Sequence, residues 1–116
     1  NVKIDGNFIV PPETHIWGNV VVAGRFELGP CSTVGGSIKA ESIVVGHDAK
    51  IKGPVCVEKT ATICDNARLH SIQAGGNIIL RPGVNVGDVN SGETIFVFGK
   101  VGSVRLFGRA VKVYGT

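Results

Sequence analysis

Pairs of apolar residues separated by one position recur along the chain at intervals of 17 or 18 residues. The clearest stretch runs from Ile38 to Val86, where Ile38, Val55 and Ile72 begin three successive repeats. Residues two positions apart on a β-strand point to the same side, so each pair predicts a short strand with two inward side chains. Each repeat holds three such pairs, separated by corners rich in Gly, Asp, Asn and Pro. Three short strands at a constant period are typical of a β-solenoid.

The repeat extends in both directions and predicts seven coils, of which the last is shorter and less regular. The inward columns of the first face are Val2, Val20, Ile38, Val55, Ile72, Val89 and Val104, and beside them Ile4, Val22, Ala40, Val57, Ala74, Ser91 and Leu106. The sequence therefore predicts an all-β fold with one domain over residues 1–116. This domain is a triangular β-helix of about seven coils of 17–18 residues.

The outward residues differ among the three predicted faces. On the first face they are Lys3, Val21, Lys39, Cys56, Gln73, Asn90 and Arg105, and on the third face His15, Thr33, Lys50, Arg68 and Asn85. These residues predict two solvated, slightly basic surfaces. On the second face they are Ile9, Glu27, Val44, Thr62, Ile79 and Phe96.

The second face is apolar on both sides of several strands. Such strands are usually covered on both sides, and contiguous exposed apolar patches mark interaction surfaces. We therefore expect a lateral interface formed by Ile9, Val44, Ile79 and Phe96. There are two alternatives. A segment outside this sequence covers the face, or the predicted register of inward and outward residues is wrong by one position on this face.

The two predicted end coils are also apolar. A solenoid exposes unpaired strand edges at its ends, and no amphipathic capping helix is visible at either terminus of the sequence. We expect an end-to-end interface formed by Val2, Ile4, Phe8, Val104, Leu106, Phe107, Val111 and Val113. The alternative is that the late aromatic residues plug the end of the core.

Composition narrows the class of protein. Apolar residues make up 43% of the 116 residues, which permits a core, and the net charge of +3 does not by itself imply nucleic-acid binding. Three cysteines cannot all pair within one chain, which favours a reducing compartment. No apolar run is long enough for a transmembrane helix, and no signal peptide is visible. We therefore expect a cytoplasmic protein.

No arrangement of chemically reactive residues predicts catalysis. His15, His47 and His70 occupy different phases of the repeat, so they are not expected to converge on a metal ion. His47 and Asp65 fall near one corner with Cys64 adjacent, a placement typical of a surface hydrogen bond. We expect no catalytic residue, no metal site, no cofactor and no small-molecule substrate.

Positive charge is concentrated near the C-terminus. Lys100, Arg105, Arg109 and Lys112 follow the last acidic residue, Glu93. A basic end could bind anionic lipid, nucleic acid or an acidic partner, and that binding would weaken with salt. A solvated face is the commoner explanation of a short charge cluster, so we expect no nucleic-acid partner.

Two segments resemble the repeat unit of the bactofilins. One runs from Ser42 to Gly53, with an apolar strand, a Gly corner, a small residue, an aliphatic residue and a closing Gly. The other is Gly36-Ser37-Ile38-Lys39-Ala40, which resembles the strand that follows. The likeness extends over roughly coils 2 to 6 of the predicted solenoid.

The resemblance implies a right-handed triangular β-helix that polymerises end to end into nonpolar cytoskeletal filaments without bound nucleotide. Its implied partner is the protein itself, with Phe107 as the position that matches a Phe at the family's subunit contact. The family's membrane-targeting segment is not visible here. Membrane association, at the inner face of the membrane, would therefore use tails outside this sequence.

Two other families with β-helical domains stay open as alternatives. Inward pairs near every sixth residue are similar to those of left-handed hexapeptide acyltransferases, which are trimeric enzymes, although the 17-residue steps break strict hexads. The stretch Gly87-Asp88-Val89-Asn90-Ser91-Gly92-Glu93 faintly resembles repeats in the C-terminal domain of MinC septum inhibitors. That likeness would imply a dimerising regulator.

Overall fold

A computed structural model describes residues 2–114, apart from the side chains of Ser103 and Val104. These residues form sixteen strands and no helix, which confirms the prediction of an all-β fold. The strands are β1 Val2–Ile4, β2 Phe8–Val10, β3 His15–Ile16, β4 Val20–Val22, β5 Arg25–Leu28, β6 Thr33–Val34, β7 Ile38–Ala40, β8 Ser42–Val45, β9 Lys50–Val57, β10 Ala61–Ile63, β11 Arg68–Ala74, β12 Ile78–Leu80, β13 Asn85–Ser91, β14 Thr94–Phe98, β15 Gly102–Phe107 and β16 Ala110–Tyr114.

Strands from successive coils stack in parallel register. Val2 lies beside Val20 and Val20 beside Ile38, each 18 residues further along the chain. From Ile38 to Val55 and onward the step is 17 residues, as the sequence predicts. The result is a β-solenoid of about seven turns that measures 35 × 24 × 19 Å. The predicted β-helix is therefore confirmed.

The three predicted faces are distributed over two sheets. The second face forms a seven-stranded sheet in the order β16-β14-β12-β10-β8-β5-β2, whereas the first and third faces share a nine-stranded sheet. Strands β9, β11, β13 and β15 pass from the third face into the first face of the next coil without a turn. The sequence predicts separate short strands here, because the corner residues are polar or glycine. Parallel pairing nevertheless continues across these corners, with one register shift between Leu69 and Ser71.

The inward columns form one continuous apolar core. Its fully buried side chains include Phe26, Ile43, Ile63, Ile72, Ile78 and Leu80. Ser32 is the polar residue buried in this core within the described part of the chain. Its hydroxyl donates to the Pro11 carbonyl at 3.0 Å and accepts from the Thr14 N–H at 3.1 Å, so burial leaves no unsatisfied group.

One corner is built from a column of stacked turns. Their third residues have positive φ in five successive coils, and these residues are Glu13, Cys31, Asp48, Asn66 and Gly83. We call this set the turn column. Each N–H of the column donates to the next coil: the Cys31 N–H lies 3.0 Å from the His47 carbonyl oxygen, and the Asp48 N–H 3.0 Å from that of Asp65.

The last coil differs from the prediction. Leu106 lies beside Val89 and Phe107 beside Asn90, so the 17-residue step continues. The prediction that Val104 follows Val89 and that Leu106 follows Ser91 is therefore wrong, and Arg105 lies beside Asp88 at a corner and not in the outward column of the first face. The cause is that Val104 and Leu106 form an apolar pair like all the others, so the pattern allows two registers. Only the hydrogen-bonded ladder distinguishes between them.

Candidate interaction surfaces

The N-terminal end of the solenoid has open strand edges. Among residues 2–114, strands β1, β2 and β3 pair only with β4, β5 and β6, respectively. Val2, Ile4 and Phe8 are half-buried against the core from that one side. Phe8 stacks on the fully buried Phe26 with a centroid separation of 5.6 Å. An unpaired edge therefore lies directly over apolar inward side chains at this end.

The C-terminal end is open in the same way. Strands β15 and β16 are the last members of the two sheets. Val111 and Val113 continue the inward columns beneath Ile95 and Val97. Val113 is 66% exposed because no further coil in the described part of the chain covers it. Leu106, in the other sheet, is half-buried against the core, whereas the predicted contact side chain of Val104 lies outside the described residues.

The late aromatic residues do not plug this end. Tyr114 stacks on Phe98 at 5.1 Å and on Phe96 at 6.3 Å, on the outer side of the second face. Arg81 and Lys112 lie over the rings of Phe98 and Phe96, respectively. Phe107 is 53% exposed and continues the outward column of the first face beside Asn90. Phe107 therefore borders the terminal edge without covering the core.

The predicted lateral row is confirmed as an outward column but is not continuous. Register pairs place Ile9, Glu27, Val44, Thr62, Ile79 and Phe96 side by side in that order. The alternative of a one-residue slip is wrong, because the flanking Ile78 and Leu80 are buried. Glu27 interrupts the apolar row and pairs with Arg25 at 3.2 Å. Only Ile79 and Phe96 are adjacent apolar residues in this row.

Positive charge occurs near the C-terminus and on the third face. Near the C-terminus, Arg109 lies 3.8 Å from Glu93. On the third face, Lys50 and Arg68 are directly opposite each other in neighbouring strands. Neither forms an ion pair within residues 2–114. Like charges in opposed positions destabilise a sheet, so the third face keeps this basic pair at some cost in stability.

His47 and Asp65 do not pair, contrary to the expectation from their shared corner. The Asp65 Oδ1 lies 3.4 Å from the Arg81 Nε of the next coil, whereas the His47 Nδ1 lies 2.9 Å from the Asp48 Oδ2. Cys31, on the opposite side of His47, joins this pair instead of Cys64. The sequence did not indicate this combination because the direction in which a corner side chain leans is not visible in the repeat.

Cys64 has an environment that disfavours its thiolate. Burial is the largest cause that raises the pKa of this thiol, and Asp65 raises it further, whereas Arg81 acts in the opposite direction. A raised pKa keeps the thiol protonated at neutral pH, and the thiolate is the nucleophilic form. The structure therefore does not activate Cys64 for nucleophilic attack.

Comparisons with protein-family models, curated proteins and solved structures give no significant match. The described residues contain no helix of the length and apolarity needed to cross a membrane.

Proposed function

We propose that this chain is a structural subunit, without enzymatic activity, that assembles end to end into filaments without a nucleotide. One observation carries the proposal. Both end coils present unpaired parallel strands over inward apolar side chains, and no capping element covers them within residues 2–114. Exposed edges of this kind are templates for pairing with another chain.

The proposed contact uses the same kinds of interaction that hold neighbouring coils together, namely backbone hydrogen bonds and apolar burial, but with the strands of the two like ends antiparallel to each other. An incoming end coil would accept and donate backbone hydrogen bonds along the free edges of the terminal strands. It would also bury Val113 and Val111 at one end, or Ile4 and Phe8 at the other, and burial of apolar surface contributes roughly 25 cal/mol per Å². Assembly therefore needs no bound nucleotide and no separate docking motif.

The resemblance of the Ser42–Gly53 stretch to bactofilin repeats supports this function and adds detail. It implies cytoskeletal filaments that are nonpolar, in which like ends meet across a two-fold axis. It also implies that Phe107 contributes to subunit contact, and this residue is exposed beside the terminal strand edge. The dimerising regulator and the trimeric acyltransferase are the competing functions, and both require discrete oligomers.

The experiment is negative-stain electron microscopy with sedimentation of the same samples across salt concentrations. We expect the wild-type chain to form filaments about one solenoid wide and Phe107→Arg to shift most of the protein to short, soluble species. A charge at the terminal edge would be desolvated without a partner, which is unfavourable. The matched control is Gln73→Arg, an exposed outward residue of the same face in a middle coil.

Circular dichroism of both variants verifies that the solenoid remains folded. If Phe107→Arg sediments like wild type, the end-stacking contact is wrong. Discrete dimers or trimers of the wild-type chain at every salt concentration would instead favour the regulator or the enzyme.

A further inference from the structure

Three side chains with metal-binding chemistry meet at one corner of the solenoid. The ligand atoms of Cys31, His47 and Asp48 all lie within 4.8 Å of one another. All three residues are exposed, so an ion can reach them from solvent. The cluster is independent of the end coils and of the lateral row, and the proposed assembly does not use it.

The stacking of coils creates this cluster. Cys31 and Asp48 are successive members of the turn column, and the Cys31 N–H donates to the His47 carbonyl at 3.0 Å. These backbone contacts hold the three Cα atoms in a stable arrangement while the side chains extend outward. Residues separated by 16 positions in the sequence are thereby fixed beside each other.

The three ligand types favour Zn²⁺ over Mg²⁺ and Ca²⁺. Thiolate, imidazole and carboxylate groups are all zinc ligands, whereas Mg²⁺ and Ca²⁺ prefer oxygen ligands alone. Zn²⁺ bonds of 2.0–2.3 Å in a tetrahedron place ligand atoms roughly 3.3–3.8 Å apart. Separations of up to 4.8 Å reach this range through rotation of exposed side chains. The 2.9 Å contact between His47 Nδ1 and Asp48 Oδ2 would widen slightly as the ion replaces the hydrogen bond.

We propose that Cys31, His47 and Asp48 form a zinc-binding site with three protein ligands. The fourth coordination position is left for water or for a side chain from another molecule, because open sites typically have three protein ligands. The site binds one Zn²⁺ per chain.

The test is titration of the reduced protein with Co²⁺, followed by displacement with Zn²⁺. We expect a thiolate-to-cobalt charge-transfer band that saturates at one equivalent and disappears when Zn²⁺ is added. Cys31→Ser should abolish the band, and His47→Ala should weaken Co²⁺ binding by at least about 10-fold. The matched controls are Cys56→Ser, which removes an exposed thiol on the first face, and Asp65→Asn, which alters the neighbouring carboxylate.

A second measurement separates metal binding from folding. Zn²⁺ should raise the melting temperature of the wild-type chain but not that of Cys31→Gly, since a ligand stabilises only the state that binds it. Retention of the cobalt band in Cys31→Ser, equal loss of the band in Cys56→Ser, or absence of any band in the wild-type chain would each overturn the proposal.

Discussion

At the scale of single residues, the turn column combines unfavourable backbone conformations with favourable stacking between coils. Pro12, Pro30 and Pro82 each precede a column residue, and Pro is favoured at the second position of a type II turn. Such turns require positive φ at the third position, which only Gly adopts without cost. The chain nevertheless has non-glycine residues at four of the five column positions. Stacking on the neighbouring coils must offset this strain.

The strain at residue 31 leads to a prediction about stability. Cys31→Gly should raise the free energy of unfolding by roughly 0.5–1 kcal/mol in metal-free buffer, because relief of the left-handed conformation outweighs the added chain entropy. Denaturant titration followed by circular dichroism measures this change.

The opposite substitution is the control for that measurement. Gly83→Ala should destabilise the chain, since Gly83 has φ of 82° and an added Cβ would meet the Asn66 side chain. If Cys31→Gly proves less stable than wild type by a similar amount, residue 31 is not strained.

At the scale of elements, close approach between coils determines which corner residues are tolerated. Neighbouring strands lie about 4.8 Å apart, so a corner that turns inward has no space for a side chain. Gly53 is an example: an added Cβ would lie 2.6 Å from the backbone of Gly36 in the preceding coil. At Gly102 the nearest atoms belong to the Asn85 side chain at 3.4–3.5 Å, an ordinary contact distance.

These two glycines give a matched pair of substitutions. Gly53→Ala should lower the free energy of unfolding by about 1–3 kcal/mol, because backbone must shift to relieve the overlap. Gly102→Ala should change stability by less than about 1 kcal/mol, since its neighbour is a flexible side chain. Denaturant unfolding of both variants checks the difference, and equal effects would show that the coil spacing is looser than the structure indicates.

The repeat pattern predicts the inward positions of the strands but not how far each strand extends. The apolar pairs predict the inward positions of β7, β8, β10 and β12, and the structure confirms them. They do not predict that β9, β11 and β13 continue around a corner as single strands. Periodicity reports which side chains point inward, whereas strand continuity depends on backbone pairing between coils, which polar corner residues do not prevent.

At the scale of the whole molecule, the stack creates surfaces that no single coil contains. The second-face row is one of them, and within it Ile79 and Phe96 form a small apolar pair next to the aromatic cluster of Phe98 and Tyr114. In the proposed filaments, we expect such a patch to form lateral contacts that are weaker than end stacking, because Glu27 and Thr62 interrupt the row.

A charge in this patch should separate lateral from end contacts. Ile79→Lys is expected to reduce bundling while single filaments persist, since Ile79 points outward between buried neighbours. Light scattering and electron microscopy measure the two effects, with Gln73→Lys on the first face as the control. Unfolding of Ile79→Lys would contradict its outward position, and unchanged bundling would remove the second face from the assembly.

The sequence by itself determined the architecture of this protein. Inward pairs at a period of 17–18 residues are visible in one dimension, because alternation along a strand and repetition between coils both follow from backbone geometry. This was enough to predict the solenoid, its core columns and the outward residues of the second face. The pattern failed where Val104 and Leu106 offered two equivalent registers, and the ladder of hydrogen bonds selected the longer step.

Only the tertiary structure decided which side chains meet between coils. Asp65 turns toward Arg81, and His47 is left with Asp48 and Cys31. The physical reason is that corner side chains lean toward one of two neighbouring coils, and this choice depends on contacts that are distant in sequence. The candidate zinc site therefore depends on contacts between coils that the sequence does not show. The apolar end coils, in contrast, follow from the sequence repeat.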